Sequence, residues 1–317
     1  MARRVATTNL QEGVAVAAAP PTPTAAARAR WRPYLLVAPS IVLTIWVLYP
    51  FAQSVWYSLH HYVLSQPWSR PFVGLRNYQK IFTDPDFLHT VAVTLEYTLL
   101  AVAIELLLGM LLAFLLNRDS LLTKILRPLL ILPLMVAPAI GSLIWKLETN
   151  PQFGFVNFFM SFIGQRYFPW GSSPRTALLT VVLVDVWIFT PFIALLLLAG
   201  LRSLPQQPFE AARLDGAGAW FTFRTLTLPM LMPYILIAVM FRILDSLQQF
   251  DIIYAMTQGG PGDTLMTFQL RAYLEAFTFL RLSESAALIL VLWVITYAIS
   301  YVMVRYWNRA RAHLRGA

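Results

Sequence analysis

Ser285 to Val304 is a run of twenty residues without a charge, reading Ser-Ala-Ala-Leu-Ile-Leu-Val-Leu-Trp-Val-Ile-Thr-Tyr-Ala-Ile-Ser-Tyr-Val-Met-Val. As a helix it rises about 30 Å, the thickness of the hydrocarbon core of a bilayer. A soluble core offers no use for so long an apolar element. Five more apolar stretches lie at about 34–57, 90–116, 128–146, 177–200 and 229–251. The 317-residue chain is 58% hydrophobic and 12% charged, against about 45–50% and about 25% in soluble domains. The expected fold is an all-α integral membrane protein with six transmembrane helices, its outer faces solvated by lipid.

The charges supply an orientation. Fifteen Lys and Arg residues lie in the N-terminal tail (Arg3, Arg4, Arg28, Arg30, Arg32), the 117–127 and 201–228 loops and the C-terminal tail, against eight in the alternate loops. Positive residues stay in the cytoplasm, so both termini are expected there, and an even number of spans agrees. Membrane topology therefore accounts for the net charge of +9, and no nucleic-acid partner is expected. Aromatic residues at span ends, such as Trp31, Trp46, Trp145 and Trp307, read as headgroup anchors. Residues 1–33, rich in Ala, Pro and Thr, are expected to form a disordered cytoplasmic tail. No apolar core follows Arg3-Arg4 at the distance a twin-arginine signal requires.

The loop after the fourth run contains the most specific pattern, Leu204-Pro-Gln-Gln-Pro-Phe-Glu-Ala-Ala-Arg-Leu-Asp-Gly-Ala217. Pro208 suits a first helical turn, Glu210 is favoured by the dipole there, and Asp215-Gly216 is a strong breaker. The expected result is a two-turn helix, then an amphipathic stretch leading to Leu228-Pro229. So short a helix is marginal in water and must dock on a partner. Glu210-Ala211-Ala212, Asp215-Gly216-Ala217, Phe223 and Leu228-Pro229 resemble the EAA loop of binding-protein-dependent ABC importer permeases. Phe72-Val-Gly-Leu-Arg-Asn-Tyr78, Phe250-Asp-Ile-Ile-Tyr254 and Thr257-Gln-Gly-Gly-Pro261 extend the resemblance to the carbohydrate, MalF/UgpA-like branch over about 34–305. Neither the large external domain nor the extra N-terminal spans of some such subunits are expected here.

The resemblance implies a type I (MetI-like) importer permease fold with a permease domain at 34–305, a coupling loop at 202–229 and a short cytoplasmic tail at 306–317. It implies that Glu210, Ala211, Ala212, Asp215, Gly216 and Ala217 couple the chain to an ATPase. The implied partners are a second homologous permease subunit, two ATPase subunits binding ATP and Mg²⁺, an extracytoplasmic solute-binding lipoprotein, a sugar or related solute, and membrane lipids.

Within the fifth run, Arg242, Asp245, Ser246 and Gln249 are spaced i, i+3, i+4 and i+7 and are expected to share one helix face. Arg242 and Asp245 are placed to pair across one turn. Charged residues within spans face a bundle interior or a water-filled path. In the fourth run Asp185 and Phe192 are also seven apart, and Trp187 offers a flat apolar surface. The resemblance implies that Asp185, Trp187, Ile188, Phe192, Arg242, Asp245, Ser246 and Gln249 lie along the substrate path. A structural pair tying spans together, or a stripe facing the second permease, stays open beside that reading. Glu105 is a candidate for pairing within the bundle.

The chain has no Cys, no phosphate-binding P-loop and no metal spacing among His60, His61, His89 and His313. No metal, no catalytic residue and no cofactor in this chain are expected, so ATP hydrolysis falls to a separate polypeptide. An ion-gradient-driven secondary transporter is the alternative, although no internal repeat is evident. A membrane enzyme lacks any acid/base or metal cluster.

Overall fold

A computed structural model describes the backbone of residues 23–165 and 167–315. The expectation for residues 1–22, including Arg3-Arg4, lies outside the described residues. The chain divides into two compact units, Met1–Gln53 and Ser54–Ala317. The first carries most of α1 (Pro23–Ser58). That helix starts ten residues before the expected end of the disordered tail, so residues 23–33 correct that expectation. Pro23 opens the helix and Ala25-Ala26-Ala27 are strong helix formers. From Val37 to Gln53 no side chain is buried, as suits an apolar helix solvated by lipid.

The second unit holds α2 (Arg76–Thr83), α3 (Asp86–Leu116), α4 (Leu121–Ile131), α5 (Pro138–Glu148), α6 (Phe155–Phe162) and α7 (Pro174–Ser203). It continues through α8 (Gln207–Leu214), α9 (Ala219–Thr222), α10 (Leu228–Ser246), α11 (Asp251–Thr257), α12 (Phe268–Tyr273) and α13 (Leu282–Arg315). Among the described residues, five helices are long and apolar enough to cross a membrane. A sixth crossing is available if the broken pair at 121–148 counts as one span.

That break corrects the single third span expected at 128–146. Ser120 caps α4, accepting from the Thr123 N–H at 3.2 Å, while the Thr123 hydroxyl oxygen accepts from the Ser120 N–H at 3.1 Å. A short 3₁₀ turn at Pro133–Met135 follows, and the axis then bends by 96° into α5. Pro133 and Pro138 lack an N–H, and Ala137 is extended at ψ 131°, the conformation that a following proline favours.

The fifth span is longer at its start and shorter at its end than expected. A π-helical turn at Phe223–Thr227 joins α9 to α10, so the apolar helix runs over Ala219–Ser246 and stops before Gln249. The last helix continues past the expected span end into the 306–317 tail, as far as Arg315. Arg305 lies over the Tyr301 ring at 4.6 Å and Arg311 over Trp307 at 4.5 Å. These cation–π pairs one turn apart favour helix there.

The bundle core forms where α3 packs along α7 and α10. Gly109 of α3 marks the closest approach, because a Cβ there would stand 2.7 Å from Ile193 Cγ2. Lipid is as apolar as a leucine side chain, so tight contact at small residues, rather than a hydrophobic drive, holds such helices together. One buried cluster gathers Tyr97, Val181, Val184, Ile188, Ile252 and Leu270. Another gathers Leu116, Leu197, Leu201, Leu204, Leu231 and Ile235, and Phe209 of α8 packs against it. Away from that end, Asn77 of α2 donates to the carbonyls of Ser58 and His60 at 2.7 and 2.9 Å, and Arg271 pairs with Asp84.

Candidate functional site

The α7–α8 turn pushes a short helix out of the bundle. Phe209 anchors it, but none of α8 is buried. Glu210 occupies its first turn and Arg213 its last, each suited to the dipole at that end. The helix stops where Gly216 adopts φ +73°. The Ala217 N–H then donates to the Ala212 carbonyl at 2.9 Å and the Gly216 N–H to Arg213 at 3.1 Å. This glycine-terminated cap satisfies carbonyls that the helix end would leave orphaned. Beside it runs a groove of about 560 Å³, lined by Pro208, Ala211, Ala212, Asp215, Ala217, Phe221 and Leu226. Leu214, Trp220 and Phe221 are exposed around it, and an exposed apolar patch of this kind marks an interaction surface. The structure thus brings Ala211, Ala212, Asp215 and Ala217 onto one groove, with Glu210 and Gly216 at the two ends of its helix.

The second candidate centres on Arg242 of α10. Its Nε donates to Glu105 Oε2 at 2.7 Å and its Nη2 to Glu105 Oε1 at 2.8 Å, a bidentate fork onto α3. Nη2 also donates to Asp185 Oδ2 of α7 at 2.9 Å, and Nη1 to Asp245 Oδ2 at 2.5 Å. The Phe189 ring lies 3.9 Å from Cζ. Arg242 is 2% exposed, and Glu105 and Asp185 are 0% exposed. Such a cluster is stable only while every charge has its partner. Arg242 thus joins α3, α7 and α10 through buried ion pairs with Glu105 and Asp185.

The expected stripe divides. Asp245 points outward and is 56% exposed. Ser246 is buried, and its hydroxyl has no hydrogen-bond partner among the described residues. Gln249 lies beyond the end of α10, in the turn before α11, so helical spacing does not place it. Its amide nevertheless reaches Asp185 Oδ1 at 3.4 Å, while its Oε1 accepts from the Phe250 N–H at 3.0 Å. Asp245 and Gln249 line a concavity of about 410 Å³ with Gln248 and Asp251. Phe189, Phe241, Leu244, Phe250 and Pro138 supply its apolar wall.

The other expected path residues fall elsewhere. Ile188 is buried in the core, 3.5 Å from where a Cβ on Gly141 would stand. Trp187 meets Trp145 edge-on at 5.8 Å. Phe192 borders the concavity only through Phe241, ring centroids 6.3 Å apart. Sequence reasoning left Glu105, Gln248 and Asp251 out of the site. Glu105 lies 137 residues from Arg242, so no local spacing links them. Gln248 and Asp251 became visible only once α10 was seen to end at Ser246. Among the described residues no group of His, Asp and Glu is disposed to hold a metal ion.

A helical bundle that buries an ionic cluster and holds a short unburied helix out at one end defines a membrane-spanning subunit built to work against a partner. The family described as "Binding-protein-dependent transport system inner membrane component" matches residues 105–312. The trehalose/maltose transport system permease protein MalF of Thermococcus litoralis is 36% identical over 241 residues, covering 76% of this chain and 81% of that protein. The sn-glycerol-3-phosphate transport system permease protein UgpA of Pectobacterium atrosepticum is 31% identical over 291 residues, covering 89% and 96%. In the crystal structure of a bacterial ABC transporter involved in the import of the acidic polysaccharide alginate, one chain superposes with a TM-score of 0.77 at 20% identity. That likeness, over 90% of this chain and 98% of that one, is one of fold. The chain belongs to the family of binding-protein-dependent transport system inner membrane components, as the motifs at 210–229 led one to expect.

Proposed function

We propose that this chain forms half of the translocation path of an ABC importer for a sugar or a related polyol or glycerol-phosphate solute. The naming of its relatives for trehalose/maltose and glycerol-phosphate transport supports that solute range. Both termini lie in the cytoplasm in this reading, as the charge bias favours. The other half of the path is a second permease of similar type. Two ATPase subunits bind ATP and Mg²⁺, and an extracytoplasmic binding protein delivers the solute to the concavity at Asp245 and Gln249.

The observation that carries the proposal is α8. It is a rigid two-turn knob, anchored in the bundle through Phe209 and with no buried residue. Movement of an ATPase cleft around 208–216 passes through Leu201 and Leu204 into α7 and α10, where the Arg242 cluster keeps the spans moving as one. The alternative of an ion-gradient-driven secondary transporter loses support, since Asp185 and Asp245 are committed to Arg242 and the family is binding-protein-dependent. The test is ATP-driven uptake by the assembled importer. Glu210→Lys and Gly216→Pro should abolish uptake while the complex still co-purifies, and normal uptake by both variants rejects the coupling role.

A further inference from the structure

Past Val304, where the uncharged run ends, α13 continues as a helix through Arg305, Arg309 and Arg311. All three are exposed, and the chain has no Asp or Glu after Glu284 to pair with them locally. Each is laid instead over an aromatic ring. Arg305 Cζ lies 4.6 Å from the Tyr301 centroid, Arg309 Cζ 5.9 Å from Tyr306 and Arg311 Cζ 4.5 Å from Trp307. A ring takes the flat side of a guanidinium and leaves the N–H fork at its edge free for an oxyanion. A side chain already held in place also loses less entropy when it binds one.

The three arginines stand at a particular depth. A helix rises about 1.5 Å per residue, so their Cα atoms lie about 2, 8 and 11 Å beyond Val304. The headgroup layer adds roughly 5–8 Å to each side of the hydrocarbon core. Helical side chains slope toward the N-terminus, here back toward the bilayer, which brings all three guanidinium groups to the level of the lipid phosphates. Their directions matter as well. Successive residues turn by about 100°, so Arg309 lies about 40° from Arg305 and Arg311 about 120° to the other side. A protein partner docks on one face of a helix, whereas headgroups surround a helix that leaves the membrane. The counter-charges that fit arginines spread around the shaft are therefore lipid phosphates rather than an acidic patch on another subunit. Orientation in the membrane is served by Lys and Arg alike and needs no ring under each charge.

We infer that Arg305, Arg309 and Arg311 form a collar that binds the phosphodiester headgroups of anionic phospholipids where α13 leaves the bilayer. The collar requires only that α13 spans the membrane, so it stands apart from the solute and from the coupling role of α8.

The full chain with its partner subunits, in vesicles of phosphatidylglycerol and phosphatidylcholine, provides the test. The chain has no Cys, so Asn308→Cys, at an exposed position between Arg305 and Arg311 around the helix, gives it a single thiol for a fluorophore. Quenching is compared for the two lipids, each spin-labelled at the same acyl position. An arginine near the surface is worth about a fivefold gain in anionic-lipid binding, so phosphatidylglycerol should be enriched at the site by about fivefold or more. Arg305→Gln/Arg309→Gln/Arg311→Gln should remove that enrichment. Tyr301→Leu/Tyr306→Leu/Trp307→Leu keeps every charge and should reduce the enrichment without removing it. Equal quenching by the two lipids in the unaltered collar, or an enrichment that survives the glutamine variant, overturns the inference. So does a thiol at 308 that cross-links to another subunit and is quenched by neither lipid, since the partner is then a protein. An enrichment unmoved by the leucine variant overturns the part assigned to the rings.

Discussion

Arg242 sits where α3, α7 and α10 meet. Its guanidinium meets carboxylates from two other helices and from its own next turn. Removing one partner from a buried ionic cluster costs about 3–5 kcal/mol. Arg242→Ala should therefore lower the thermal midpoint of the purified complex strongly, whatever solute is present. Arg242→Lys should recover only part of the loss, because an ammonium lacks the planar fork. Asp245→Asn, at a half-exposed position, should cost about 1 kcal/mol or less. A thermal midpoint unchanged in Arg242→Ala would show that the cluster does not hold the spans. The Arg242–Asp245 pair was legible in the sequence because it is local. Glu105 was read as pairing within the bundle, but its partner was not, since the partner of a buried charge is chosen by how helices pack, and periodicity within one helix says nothing of that.

At the scale of elements, spans and turns differ in how openly the sequence declares them. About 20 apolar residues have few uses besides crossing a bilayer, so the runs at 90–116, 177–200 and 285–304 all correspond to long helices. The break in the third run was not legible because prolines are tolerated within membrane helices, and composition alone does not say whether Pro133 and Pro138 kink a span or break it. The stop at Ser246 was hidden for a similar reason: Leu247-Gln248-Gln249 contains neither Gly nor Pro. The coupling turn was legible because Gly216 must adopt a positive φ. A Cβ there meets no atom within 4 Å, so any effect of substitution is conformational rather than steric. Gly216→Asn, which tolerates the left-handed region, should keep most uptake. Gly216→Val should lose most of it, the left-handed conformation costing L-residues about 1–2 kcal/mol and a β-branched one more. Equal uptake by the two variants would remove the role given to the cap. At the α3–α7 contact the reverse holds. Gly109→Ala should destabilise the complex by about 1–3 kcal/mol through overpacking against Ile193, read as a lower thermal midpoint, and an unchanged midpoint would mean that the two helices separate freely.

At the scale of the whole molecule, three features act in series. In the proposed mechanism the knob at 207–214 receives force, the packed helices α3, α7 and α10 carry it, and the concavity at Asp245 and Gln249 is reshaped by it. The central claim is that the knob meets a nucleotide-driven ATPase on the inner face of the membrane. Because the chain has no Cys, Ala212→Cys introduces its single thiol, and cross-linking from that thiol in the assembled importer tests the claim directly. The account predicts a cross-link to the ATPase subunit whose yield changes when ATP is added, with no labelling of the thiol by a membrane-impermeant maleimide applied outside intact cells. Labelling from outside, or no cross-link to any subunit of an assembled and active complex, would contradict it.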